Sequence, residues 1–236
     1  MMSKKFTVGA EPWEWPILGA TDPSAVALIV IDMQRDFLDP RGWFASMGFD
    51  VTAMRTTIDV VAGLVAVARS GSGIHVIHTR QGNAGDLSDL PQAKQEQGKR
   101  FGFPIGRAGP LGRGLIRGEP GWEIVPEVSP VLEELVVDKP GFGAFVGTDL
   151  DEELRARSVR SLILTGVTAN VCVLSTLLEA VDRGYDCLVV TDAIAGADPA
   201  TASTICDLVR YQGGLFGCLA PARAVTSALR EVASGH

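Results

Sequence analysis

"SLILTGVTANVCVLSTLLEAVDRGYDCLVVTDA", residues 161–193, moves between two apolar runs through a stretch with a different rhythm. SLILTGV is apolar at consecutive positions and is only seven residues long, which suits a strand buried on both faces. In NVCVLSTLLEAVDRGY the apolar residues recur three and four apart, and the pattern ends at Gly184, so this segment reads as a helix. DCLVVTDA is a second buried strand. Strand, helix and strand in that order, with strands apolar on both faces, make the repeating unit of a parallel sheet covered on both sides.

The same unit extends outward. VALIVID (26–32) precedes an amphipathic stretch closed by Gly71, IHVIHTR (74–80) forms the next run, and LEELVVDKPG (132–141) gives another, stopped by Pro140. DPATASTICDLVRYQGG (198–214) reads as a helix capped near Asp198, LFGCLA (215–220) as a sixth short strand, and Pro221 to Val232 as a last helix. The expected fold is a doubly wound α/β domain: a mostly parallel six-stranded sheet with helices on both faces. It occupies 1–236, with an N-terminal arm at about 1–24 and a long excursion at about 81–125. The excursion is rich in Gly, Pro and charge, and a loop of such length in a compact domain tends to lie over a functional site.

Composition narrows the partners. With 46% hydrophobic and 21% charged residues the chain is globular, and a net charge of -7 without any Lys/Arg run argues against nucleic acid and anionic membrane surfaces. No apolar segment follows the lysines of MMSKKFTVGAEPWEWP, so a cytoplasmic location is expected. Cys172, Cys187, Cys206 and Cys218 form no C-x-x-C pair, which fits reduced thiols better than a disulfide framework or a zinc site.

Ligands of open parallel sheets bind beyond the carboxyl ends of the strands. Asp32, Lys139 and Cys172 all fall there. Singly, each has a bland reading: a turn aspartate, a solvated loop lysine and an inert buried thiol. Together they suggest an aspartate that takes a thiol proton and a lysine that offsets the charge and lowers the thiol pKa. A nucleotide-binding role is disfavoured, because DMQRDF after the first strand is no phosphate-cradling glycine motif. A binding module without catalysis remains the alternative from another class.

ALIVIDMQRDF, VDKPGFGAF and LTGVTANVCVLST resemble the isochorismatase-like cysteine hydrolases. Within that family, EPWEWP, HTRQGNAGDLSDLPQAK, RGEPGWEIVPE, DRGYDCLVVTDA and YQGGLFG resemble biuret hydrolases and related ureido amidohydrolases. The resemblance implies Cys172 as nucleophile, Asp32 as general base and acid, and Lys139 as the charge-stabilising third member. It also implies a cis peptide between Val167 and Thr168, an oxyanion hole of the Thr168 and Cys172 backbone N–H groups, and substrate contacts from Phe37, Phe142, Asn170 and Gln212. Read as residues, Gln212 is equally a helix C-terminal residue before GG.

Phe142 stands where a basic residue is expected in biuret hydrolases, and Asn170 replaces an acidic residue, as in ureidoacrylate-type enzymes. Both changes admit a larger or more apolar carbamoyl or ureido substrate. No cofactor is implied, and no metal: the two histidines of a nicotinamidase-type site are missing, since His75 and His78 point to opposite faces of one strand. A small-molecule amide or ureido substrate and a homo-oligomer, by resemblance a tetramer, complete the expectation.

Overall fold

The protein is described here by a computed structural model covering residues 5–234; the first four residues of the expected N-terminal arm lie outside the described residues. In chain order the elements are β1 (Val26–Ile31), α1 (Arg35–Leu38), α2 (Trp43–Ser46), α3 (Thr52–Arg69) and β2 (His75–Gln81). They continue with α4 (Gln92–Phe101), β3 (Ala108–Gly109), β4 (Gly112–Arg113), β5 (Leu135–Lys139), α5 (Leu150–Ala156) and β6 (Ser161–Val167). The last are α6 (Leu174–Asp182), β7 (Asp186–Ala195), α7 (Ala200–Gly214), β8 (Cys218–Ala220) and α8 (Ala222–Ser234).

Six strands form one sheet in the order β5-β2-β1-β6-β7-β8, and every pairing in it is parallel. β1 shows why its sequence is apolar throughout. Val26, Leu28 and Val30 join a core with side chains of α3 and α8, whereas Ala27, Ile29 and Ile31 join a second core with those of α5, α6 and α7. Successive side chains of a strand face opposite ways, so a strand covered on both faces needs apolar residues at every position.

The chain runs outward from β1 through β2 to β5 and then returns to β6 beside β1, so the strand order reverses between β1 and β6. That reversal opens a crevice at the carboxyl edge of the sheet. Gly166, next to the crevice, has φ +109°, and a Cβ there would sit 2.0 Å from the Ile31 carbonyl oxygen. Only glycine lets β6 approach β1 so closely.

The arm pairs with the outermost strand, β8. Glu11 and Leu219 of β8 exchange backbone hydrogen bonds of 2.9 and 2.8 Å, while Phe6, Val8 and Trp15 are buried. Pairing of this kind removes an exposed strand edge.

The excursion differs from an irregular loop, because it contains α4 and the β3–β4 hairpin. No residue of α4 is buried, so the apolar stripe that marks a core-facing helix is missing. Lys94, Gln97, Gly98 and Phe101 nevertheless share one face, at i, i+3, i+4 and i+7, and that face lines a cavity rather than a core.

Candidate active site

Four strand ends build the site. Asp32 follows β1 with φ +48°, a left-handed conformation uncommon for a residue with a side chain, and its backbone N–H donates to the Thr79 carbonyl of β2 at 3.2 Å. The Asp32 carboxylate is fully buried, with Oδ1 accepting from the Thr79 hydroxyl at 2.6 Å and Oδ2 lying 2.8 Å from Lys139 Nζ. Lys139 ends β5, and its ammonium also donates to the carbonyls of Gly141 (3.0 Å) and Phe142 (2.6 Å). The KPGFG turn thus wraps its own lysine.

Beyond β6 the Val167–Thr168 peptide is cis, and Ala169–Val173 forms one turn of π-helix before α6 begins. The wider turn carries Cys172, only 1% exposed, and its thiol donates to Gln81 Oε1 at 3.3 Å. The Thr168 backbone N–H is directed at the sulfur, and both Lys139 and Asp32 lie within its electrostatic reach.

Charge balance follows from this geometry. Burial disfavours the Lys139 cation, but Asp32 and then Cys172 outweigh that penalty, and the lysine pKa lies above its ordinary value. Burial is also the largest influence on the Cys172 thiol; Lys139 opposes it, Asp32 reinforces it, and the pKa is pushed up to about 12. Lys139 thus acts on the thiol in the expected direction, but burial outweighs it and the net shift is upward. In the resting site the lysine charge is balanced by Asp32, and the sulfur remains a thiol.

Because the folded thiol pKa lies above the unfolded value, its stabilising contribution is complete at neutral pH and is lost as pH rises from about 9 to about 12. Labelling of Cys172 by iodoacetamide, followed by peptide mass spectrometry, is expected to be slow at pH 7 and to accelerate throughout the alkaline range. Rapid labelling at pH 7 with a plateau above it would contradict the protonated resting thiol.

Cys172, Thr168 and Gln81 form the floor of a cavity of about 490 Å³. Phe37, 3% exposed, and Phe142, 43% exposed, both line it. Asn170 and Gln212 are not among its lining residues. Asn170 is exposed, because the π-turn aims Thr168, Val171 and Cys172 inward and leaves position 170 on the outer side. Gln212 is exposed because the backbone leaves helical geometry at Tyr211–Gly213, and its side chain donates to the Tyr211 hydroxyl at 3.4 Å.

Two glutamines, which carry no titratable group and are not expected from the sequence, complete the site. Gln81 touches the thiol, and Gln34 holds Gln81 from both sides, accepting from its backbone N–H at 2.8 Å and donating to its carbonyl at 3.0 Å. The position of Gln81 at the end of β2, next to β1, was the available signal.

Among the described residues no three His, Cys, Asp or Glu side chains are grouped to hold a metal. His75 Nε2 lies 3.1 Å from the Ser24 carbonyl oxygen. His78 pairs with Glu134 at 2.9 Å, and burial, partly offset by Glu134, holds its pKa below the ordinary histidine value.

Residues 26–218 match the family described as Isochorismatase domain. The chain belongs to the isochorismatase family. It is 32% identical over 214 residues to the ureidoacrylate amidohydrolase RutB of Caulobacter vibrioides, covering 85% of this chain and 95% of that protein. Among solved structures, a cysteine hydrolase from Pseudomonas syringae pv. phaseolicola superposes with a TM-score of 0.76 at 25% identity, covering 96% of this chain and 98% of that one. An isochorismatase family protein from Desulfovibrio vulgaris gives 0.70 at 32% identity, covering 87% and 98%. The six-stranded isochorismatase-family fold is thus shared with these relatives, and no helix among the described residues is long and apolar enough to cross a membrane.

Proposed function

We propose that this isochorismatase-family protein is a cysteine-dependent amidohydrolase that cleaves a C–N bond of a linear amide or ureido compound and releases ammonia. The observation that carries the reading is the meeting of Asp32, Lys139 and Cys172 in one buried cluster, of which Cys172 opens on the cavity.

Asp32 takes the Sγ proton as the sulfur bonds to the substrate carbonyl carbon, so the negative charge moves from carboxylate to carbonyl oxygen while Lys139 remains cationic. The Thr168 and Cys172 N–H groups hold the tetrahedral oxyanion. Its collapse breaks the C–N bond, and the nitrogen leaves as ammonia with the proton returned by Asp32. A thioester remains on Cys172. Water then attacks the thioester carbon, giving its proton to Asp32, and the departing sulfur recovers that proton.

Two substrate readings belong to this chemistry. A ureidoacrylate-like or N-carbamoyl amino acid substrate is supported by the identity with the Caulobacter vibrioides protein and by Phe142 at the cavity, where a basic residue would favour a smaller polar ligand. Biuret rests on the wider motif resemblance alone. The same reading takes the chain as cytoplasmic and, as that resemblance implies, as a homo-oligomer.

Ammonia release from purified protein given ureidoacrylate, N-carbamoyl amino acids, biuret and simple primary amides tests the proposal. Turnover of at least one of them is expected. Absence of ammonia from all of them, with the protein folded, would overturn it.

A further inference from the structure

The cavity above Cys172 has two chemically distinct ends. Cys172, Thr168 and Gln81 form its polar floor, Lys94 and Gln97 of α4 add polar groups to its wall, and six aromatic side chains stand around it: Phe37, Trp43, Phe44, Phe101, Phe103 and Phe142. They come from three separate parts of the chain, so no single local motif produces this wall. Several rings are braced by one another or by Phe49 behind them: Phe37 meets Phe44 edge-on at 5.5 Å, and Phe49 stacks on Phe44 at 4.6 Å and on Phe103 at 5.3 Å.

No carboxylate side chain lines this cavity among the described residues. Lys94, at its edge, lies 4.4 Å over the Phe142 ring. A cavity of about 490 Å³ is of the size that encloses a ligand well beyond a bare ureide. A small polar amide would reach the floor and leave the aromatic wall facing water.

We infer that the substrate carries an aryl or similarly bulky apolar group next to the scissile amide or ureide. The carbonyl reaches Cys172 while the apolar group fills the space between the rings. This deepens the amidohydrolase reading and rests on it for the reaction, though not for binding.

The test separates the two. Cys172→Ala protein is titrated with phenylacetamide, 3-phenylpropionamide, acetamide and biuret by calorimetry, and wild-type protein is assayed with the same compounds for ammonia. The phenyl compounds are expected to bind at least about 10-fold more tightly than acetamide or biuret, given the usual gain from burying a ring. Wild-type kcat/KM is expected to rank the compounds in the same order. Phe142→Ser, at a partly exposed position, is expected to reduce the phenylacetamide-to-acetamide affinity ratio by at least about threefold.

Equal affinities for phenyl and small amides, or tighter binding of biuret, would overturn the inference. Selective binding of phenyl compounds with no hydrolysis of any amide would support the aromatic subsite and overturn the catalytic reading instead. Hydrolysis without phenyl preference would do the reverse.

Discussion

Cys172→Ala is expected to lower kcat for amide hydrolysis by at least about 10³-fold, because removing a nucleophile removes the whole covalent route. Alanine keeps the apolar contacts of the π-turn and loses only the sulfur, with its hydrogen bond to Gln81 and its contacts with Thr168, Asp32 and Lys139. Folding is therefore expected to survive, and the thermal transition should remain close to that of wild type. Ammonia release by the alanine protein at a rate comparable to wild type, measured with one preparation of each, would remove Cys172 from the chemistry.

Lys139→Met is the second large effect, and it strikes stability and turnover together. The Asp32 carboxylate has no solvent exposure and faces Lys139 at 2.8 Å, so deleting the cation leaves a buried charge without its partner. Breaking such a pair costs about 3–5 kcal/mol, which for a chain of this size lowers Tm on the order of 10 °C. Asp32→Asn combined with Lys139→Met removes both charges. It is expected to recover most of the lost Tm without recovering activity, since neither proton transfer nor charge balance remains. Equal Tm values for wild type and Lys139→Met would show that the pair does not carry the site's electrostatics.

The fold was legible because β1 and β6 must bury both faces, and that demand writes uninterrupted apolar runs into the sequence. Asp32, Lys139 and Cys172 were legible for a related reason: they interrupt or follow those runs at the carboxyl ends, where a parallel sheet leaves room for a ligand. What the sequence hid lies in three dimensions. Asn170 and Cys172 are two residues apart on a π-turn, and only the turn's geometry sends one outward and the other into the cavity. Gln212 sits in what reads as a helix end, but the backbone departs from helical geometry there and carries the side chain away from the site.

The sequence shows the lysine that lowers the thiol pKa but not the complete burial that outweighs it. The aromatic wall was hidden as well. Its rings come from 37–44, 101–103 and 142, and α4 contributes to it without the apolar periodicity by which a helix facing a core is known.

A covalent intermediate on Cys172 is the central claim, and acid quench of wild-type protein during turnover of an ammonia-releasing substrate tests it most directly. Digestion and mass spectrometry are expected to find the Cys172 peptide heavier by the acyl or carbamoyl group of that substrate, and hydroxylamine should remove the adduct. Steady ammonia release with the Cys172 peptide unmodified at every quench time, accompanied by undiminished turnover in Cys172→Ala, would contradict the account.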